Sequence, residues 1–116
     1  MVKFRNFTPH GVTILAPRGE TLYLPSEGCA RALNSASYVG TLEGVKIIEE
    51  QLGDPEWPKE YVPREGDALI VSRVFADSVR RSGKKLPDGF HLYCPGTLVR
   101  DKNGTIVGCE SLVRLV

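Results

Sequence analysis

The fold is decided by the stretch Ala68-Leu69-Ile70-Val71-Ser72, which runs directly into the segment Arg73–Arg81. The first part is the most continuous apolar, β-branched run of the chain, and it predicts a strand buried on both faces. From Arg73 onward the apolar residues recur at helical spacing while the arginines point elsewhere, so the period changes from strand to helix. Ser72 can cap this helix and Ser82-Gly83 can end it. We therefore predict a core strand followed by a short helix over Arg73–Arg81.

Outward from this stretch, turn signals at a spacing of about ten residues separate short runs with strand chemistry. These runs predict strands at Lys3–Phe7, Val12–Leu15, Thr21–Leu24, Cys29–Leu33, Val45–Glu49 and Phe90–Tyr93. Asn103-Gly104 lies between Leu98–Arg100 and Thr105–Val107 and predicts a β-hairpin, because both turn residues accept a positive φ at low cost. A second short helix is predicted near Ser35–Gly40. The fold class is therefore α+β, a single domain with a mainly antiparallel sheet of about five to seven strands and one or two short helices.

The segment Gly53–Gly66 is predicted to be a loop. It holds three prolines besides several acidic residues, and proline would interrupt a central strand ladder. It also holds Trp57 and Tyr61, two large aromatic residues that are costly to leave in water. We expect these two rings to fold the loop back onto the body.

Length and charge exclude several classes of function. A chain of 116 residues forms one domain, because two separate cores would each be too small. Fifteen Lys and Arg stand against 14 Asp and Glu, a net charge of +1, so duplex nucleic acid is not an expected partner. No run approaches the ~18 apolar residues that span a bilayer, and the N-terminus lacks the apolar run of a signal peptide. We predict a cytoplasmic protein without a membrane partner.

Catalytic motifs are absent from the sequence. It contains no phosphate-binding Gly-rich loop, no nucleophile elbow and no His-Glu-x-x-His helix. Cys29, Cys94 and Cys109 lack metal-site spacing and are expected to be buried thiols, and His10 and His91 are too scattered to argue for zinc. We predict no metal, no cofactor and no enzyme activity. One alternative stays open, a hydrolase in which His91 serves Cys94 or Cys109.

Five side chains are candidates for contact with an anionic ligand: Phe75, Arg100, Arg73, His10 and Asp101. Arg73 and Phe75 follow the core strand at a helix start, where backbone amides favour anions. Arg100, beside Asp101, either forks onto a phosphate or pairs with a carboxylate. His10 either orients two strands within its turn or donates to an anion at the strand edge. The alternative for Phe75 is a place in the core. The alternative for Arg73 is a solvated position on the helix.

Three stretches resemble a group of small phage and prophage proteins. They are Phe7-Thr8-Pro9-His10-x-Val12-x-Ile14, Leu69-Ile70-Val71-Ser72-x-Val74 and Val99-Arg100-Asp101-x-x-Gly104-x-Ile106-Val107-Gly108-Cys109. Within that group the chain resembles the anti-Thoeris sponge proteins, which sequester cyclic nucleotide immune signals. It departs from that family shortly before the final Val-Arg-Asp, where the family has polar residues and this chain has Phe90–Gly96.

The resemblance implies a viral anti-defence protein that binds a cyclic ADP-ribose isomer, or cyclic oligonucleotides, without turnover in the host cytoplasm. It implies that Phe75 stacks on the base while Arg100, helped by Arg73 and His10, binds the phosphates. It also implies a symmetric homo-oligomer, with a hexamer as the family pattern.

A protein partner is the alternative function. The Trp57–Tyr61 loop would then inhibit a host factor by direct contact. Self-association is expected for a separate reason, because the acidic Gly53–Gly66 segment of one subunit could meet the basic loop Arg80–Lys85 of another. Exposed ion pairs contribute only ~0–1 kcal/mol each, so Trp57 or Tyr61 would have to add apolar contact.

Overall fold

The computed structural model of the protein describes residues 4–15, 19–33, 35–51 and 53–116. Within these ranges the chain forms twelve strands and one helix, α1 (Arg73–Ser82), which lies between β8 and β9. The strands are β1 (Phe4–Asn6), β2 (Val12–Leu15), β3 (Thr21–Leu24), β4 (Arg31–Ala32), β5 (Ser35–Leu42), β6 (Val45–Gln51), β7 (Pro55–Glu56), β8 (Ala68–Ile70), β9 (His91–Pro95), β10 (Leu98–Arg100), β11 (Ile106–Cys109) and β12 (Leu112–Arg114). The α+β fold class is confirmed.

The central sheet has the strand order β1-β8-β9-β12. As predicted, the core strand is buried on both faces, since Ala68, Leu69 and Ile70 are all at most 4% exposed. The pairs β1–β8 and β8–β9 are parallel, and only β12 adds an antiparallel edge. Parallel neighbours need a crossover connection, and α1 lies in the crossover from β8 to β9. The fold therefore contains mixed sheets, and two of the three parallel pairs among the described strands lie in the central sheet.

Helix α1 begins at the predicted residue, Arg73, and ends at Ser82, one residue beyond the predicted Arg81. The backbone N–H of Phe75 donates to Ser72 Oγ at 3.1 Å, so Ser72 is the N-cap. Gly83 ends the helix in the left-handed region at φ +68°, where its N–H donates to the carbonyl of Arg80. Glycine reaches this region without a Cβ penalty, which fixes the last turn here.

The core joins α1 and the central sheet to the Gly53–Gly66 segment. As predicted, that segment is mostly loop, and it returns to the body through Trp57, whose ring meets Phe75 at 4.9 Å and Phe90 at 5.8 Å between centroids. Tyr61 meets Phe7 at 4.8 Å in the same way. Such edge-to-face pairs each add about 0.5–1.5 kcal/mol beyond area burial. The loop is thus part of the core's packing.

A second sheet has the order β10-β11-β2-β3. The predicted hairpin around Asn103-Gly104 is present, with β10 and β11 antiparallel. Its turn differs from the expected one, because Gly104 has φ +81° while Asn103 does not take a positive φ. Asp101 Oδ1 instead accepts from the backbone N–H groups of Asn103 and Thr105, at 2.8 and 3.0 Å. These two hydrogen bonds hold the turn in a form in which Asn103 does not need a positive φ.

The prediction of a second helix near Ser35–Gly40 is wrong. These residues belong to β5, which pairs antiparallel with β6 across the turn Glu43-Gly44. Tyr38, Val39 and Thr41 have the aromatic or β-branched side chains that favour strands, and β6 supplies the ladder that a short helix would lack. The predicted strand Cys29–Leu33 is also shorter, reduced to Arg31–Ala32, and Lys3 lies outside the described residues.

The N-cap of α1 gives a test of how this helix is held. Ser72→Ala should lower the free energy of unfolding by about 1 kcal/mol, because the acceptor for the Phe75 N–H is lost. Ser72→Asp is the matched control and should retain the stability, since a carboxylate accepts the same bond and suits the positive end of the helix dipole. Urea denaturation of the three proteins measures this. Equal losses in both variants would contradict the role of the cap.

Candidate functional site

A cleft of about 300 Å³ lies between the C-terminal end of α1, the loop that follows it and the Gly53–Gly66 segment. Its volume is at the lower end of small-molecule sites, and its walls are mostly apolar, as such sites usually are. The lining residues are Pro55, Trp57, Pro63, Val79, Ser82, Lys84, Lys85, Leu86 and Pro87.

Trp57 forms the aromatic wall of this cleft. The ring is half-buried, and its contacts with Phe75, Phe90 and Tyr61 fix its position from the core side. Tyr61 is held in turn by its hydroxyl, which donates to Asp67 Oδ2 at 2.6 Å; burial and this bond raise the pKa of Tyr61. The cleft therefore has a preorganised ring on one side.

Two cations stand at the rim of the cleft. Lys84 and Lys85 are exposed and line it, and none of the described lining residues is acidic. Arg80, in the last turn of α1, is engaged elsewhere, since it donates to the carbonyl of Leu115 at 2.6 Å and lies 3.7 Å from Asp77. The cleft thus combines apolar walls with a positive edge, a pairing suited to an anion that carries a ring.

Phe75 does not have the place that base stacking requires. Its side chain is 0% exposed and packs in the core beneath Trp57. A ligand base can stack only on a ring whose face is accessible, so the expected stacking role of Phe75 is corrected to a core role. Phe75 still bears on the cleft, because it supports the Trp57 ring that forms the wall.

Arg100 and Asp101 both serve the hairpin turn between β10 and β11. Arg100 Nη1 donates to the carbonyl of Gly104 at 2.8 Å, and Asp101 accepts the turn's backbone N–H groups. Arg100 is exposed to solvent. The alternative of an Arg100–carboxylate pair is not what the structure shows, since the partner is a carbonyl.

His10 and Arg73 lie at the same end of the central sheet, the end at which β1 and β8 finish. The His10 turn follows β1 and Arg73 follows β8, and these neighbouring strands are parallel, so both residues come after carboxyl ends. The His10 turn is held by Asn6, which is fully buried and whose Nδ2 donates to the carbonyl of His10 at 2.8 Å. The exposed side chains of His10 and Arg73 are available to solvent. In the described chain, no hydrogen bond or ion pair joins the side chains of any two of the five predicted site residues.

In the part of the chain that the structure describes, His91 makes no hydrogen bond to Cys94 or Cys109. His91 and Cys94 are three residues apart in β9, so their side chains point to opposite faces of the sheet. Nδ1 of His91 lies 3.0 Å from the carbonyl oxygen of Val116. Burial raises the pKa of the Cys109 thiol, the opposite of what a nucleophilic cysteine needs. Among the described residues no group of three or more His, Cys, Asp or Glu could hold a metal ion.

The two loops that the sequence suggests for an interface between subunits, the basic loop and the Trp57 loop, meet within one chain and line this cleft. Trp57 and Tyr61 are partly buried against the core of their own chain. Less of their surface is therefore accessible to a host factor or a second subunit.

Comparison with family models, with curated proteins and with solved structures finds no match for this chain. Nor does any helix of the described residues have the length and apolar character to cross a membrane.

The assignment of Phe75 to the core has a direct test. Phe75→Ala should lower the free energy of unfolding by about 3–5 kcal/mol, because a large buried ring leaves a cavity beneath Trp57. Val74→Ala is the control one residue earlier in α1, where the side chain is 50% exposed, and it should change stability by less than about 0.5 kcal/mol. Thermal or urea unfolding measures both. Equal small effects would show that Phe75 is not a core residue.

Proposed function

We propose that the protein binds a nucleotide-derived anion in the cleft, one molecule per chain and without turnover. The observation that carries the proposal is the combination of the half-buried Trp57 wall, the apolar lining and the exposed pair Lys84 and Lys85 at the rim. This site differs from the one that the resemblance implies, since it uses Trp57 in place of Phe75.

The aromatic wall provides most of the proposed affinity. Stacking of a base on an aromatic side chain contributes about 1–3 kcal/mol and tolerates different bases. Because Trp57 is already fixed by Phe75 and Phe90, little ring entropy is lost when a base binds. A cleft of this volume admits one base with its ribose, so the phosphates remain at the rim.

The two lysines provide the preference for negative charge. Both are exposed, so each phosphate contact is screened by water and salt and adds little energy by itself. Their joint field attracts an anion and disfavours a cation. The affinity should therefore fall as salt rises, while the stacking contribution remains.

The resemblance to the anti-Thoeris sponges supplies the ligand class and the biological role. A cyclic ADP-ribose isomer carries adenine, ribose and a pyrophosphate, which match the aromatic wall and the basic rim. Holding such a signal without chemical change removes it from the host defence that it would activate. Cys94 and Cys109 are buried and burial raises the pKa of the Cys109 thiol, which supports binding over hydrolysis by either of them, while Cys29 is half-buried and not the buried thiol expected.

Trp57 is the single tryptophan of the chain, so its fluorescence reports directly on the cleft. Titration with cyclic ADP-ribose isomers, and separately with cyclic dinucleotides, should change the emission and saturate at one ligand per chain. The double variant Lys84→Ala/Lys85→Ala should weaken binding by about tenfold or more at low salt, because the basic rim is lost. Lys102→Ala, in the exposed turn after β10, is the matched control and should bind like the parent protein.

Mass spectrometry of the heat-denatured complex should recover the intact ligand. A new product would contradict binding without turnover. If Arg100→Ala abolished binding while the lysine double variant did not, the ligand would sit at the β10–β11 hairpin and the cleft would be the wrong site.

A further inference from the structure

A second cavity, here called the polar cavity, has a volume of about 270 Å³ and lies between β1, the loop after β3 and the Gly53–Gly66 segment. Most of its described lining residues are charged, namely Arg5, Glu27, Lys59, Glu60 and Arg64. None of its described lining residues also lines the cleft. A ligand of the polar cavity is therefore independent of the one proposed for the cleft.

Arg5 is fixed in the wall of the polar cavity. Its guanidinium carbon lies 5.0 Å from the centroid of the Phe7 ring and 5.5 Å from that of the Tyr61 ring. Its Nε lies 3.3 Å from Glu27 Oε1, and no hydrogen bond within the described chain uses either of its terminal nitrogens. A guanidinium held in this way presents its terminal N–H groups as a fork that fits a carboxylate.

Contacts between the loops set the shape of the polar cavity. The backbone N–H of Glu27 donates to the carbonyl of Asn6 at 2.8 Å, which ties this wall to β1. A Cβ on Gly28 would lie 3.1 Å from the Cβ of Pro58, so glycine permits the close approach of the two loops. The Tyr61 ring is held by the bond from its hydroxyl to Asp67. The cavity is therefore preformed.

Glu60 has a backbone conformation that does not suit its residue type. The N–H of Tyr61 donates to the carbonyl of Pro58 at 3.0 Å, which makes Glu60 the third residue of a β-turn, and its φ is +66°. Glycine or asparagine is usual at such a position, because a side chain with a Cβ is strained there. Strained residues cluster at ligand sites. The strain at Glu60 therefore points to a role for its carboxylate in the cavity.

Charges of both signs line the polar cavity without neutralising one another. Lys59, Glu60 and Arg64 are exposed, and within the described chain their side chains form no ion pair and no hydrogen bond. Because Arg5 is paired with Glu27, these three residues leave the cavity with a net charge of +1. A complementary ligand carries a net charge of −1 and includes a cationic group for Glu60.

We propose that the polar cavity binds a free acidic α-amino acid, glutamate or aspartate. One carboxylate of the ligand contacts the fork of Arg5, the other lies between Lys59 and Arg64, and the ammonium contacts Glu60. Two carboxylates and one ammonium give this ligand the net charge of −1 that the cavity needs. A nucleotide base fits less well, because Arg5 lies over the rings of Phe7 and Tyr61.

Calorimetric titration at low salt tests the proposal. L-glutamate, raised to about 10 mM, should saturate at one molecule per chain. L-glutamine lacks one carboxylate and glutarate lacks the ammonium, so each should bind about fivefold more weakly. Arg5→Lys should weaken glutamate binding about tenfold, because lysine keeps the charge but cannot form the fork. Lys84→Ala/Lys85→Ala should bind glutamate like the parent protein, since neither lysine lines the polar cavity.

Glu60→Gly separates binding from folding. The variant should melt at a higher temperature, because glycine adopts this φ without strain, and yet bind glutamate about fivefold more weakly. Glu43→Gly is the matched control. Glu43 is the other described non-glycine residue with a positive φ, +50°, and it does not line the polar cavity. This control loses the same charge and should bind glutamate like the parent protein.

Three results would overturn the proposal. The first is the absence of saturable heat with glutamate. The second is equal binding of glutarate and glutamate, or displacement of glutamate by an equal concentration of inorganic phosphate, since the cavity would then be a general anion site. The third is a Glu60→Gly variant that melts higher but binds glutamate unchanged, because the ammonium would then have no partner in the cavity. Loss of glutamate binding in the lysine double variant would likewise place the amino acid in the cleft.

Discussion

Burial of β8 on both faces is the constraint on which the rest of the structure depends. A strand of apolar residues at 0–4% exposure needs a neighbour on each side and a cover on each face. β1 and β9 are the neighbours, and the helix that begins directly after β8 lies in the crossover to β9. Once α1 is in that place, Phe75 points into the core, and Trp57 from the Gly53–Gly66 loop meets it edge to face. The candidate cleft is therefore a product of how β8 is buried.

Local patterns were sufficient to predict the elements whose stabilising contacts are local. The α1 boundaries follow from Ser72 and Gly83, and the β10–β11 hairpin follows from Asn103-Gly104, since caps and turns act within a few residues. The parallel pairing of β1 with β8 could not be predicted in this way. Phe4 pairs with Ala68, and no rule on neighbouring residues connects them. The helix prediction near Ser35–Gly40 was wrong although the partner strand β6 is adjacent along the chain, because Tyr38, Val39 and Thr41 favour a strand that pairs with β6.

The candidate site shows the same division between local and distant information. The helical wheel groups Phe75, Ser78 and Val79, which are all buried, with Val74, which is 50% exposed and lies outside the core. It could not indicate which segment covers that face, and Trp57, which does so, is far away in sequence. Arg100 and Asp101 were noticed as charged residues near a strand end, and the turn beside them accounts for contacts of both. Lys84 and Lys85 line the cleft because their loop meets the Trp57 loop, and no pattern of neighbouring residues indicates that meeting.

Trp57 connects the proposed ligand site to the stability of the whole domain. Its contacts with Phe75 and Phe90 belong to the core, and its remaining surface lines the cleft. A ligand that binds only the folded chain stabilises it by mass action, by about 2.7 kcal/mol at a concentration of 100 Kd. The loop that lines the cleft packs on the core through Trp57. A ligand bound in the cleft therefore raises the free energy of unfolding of the whole domain.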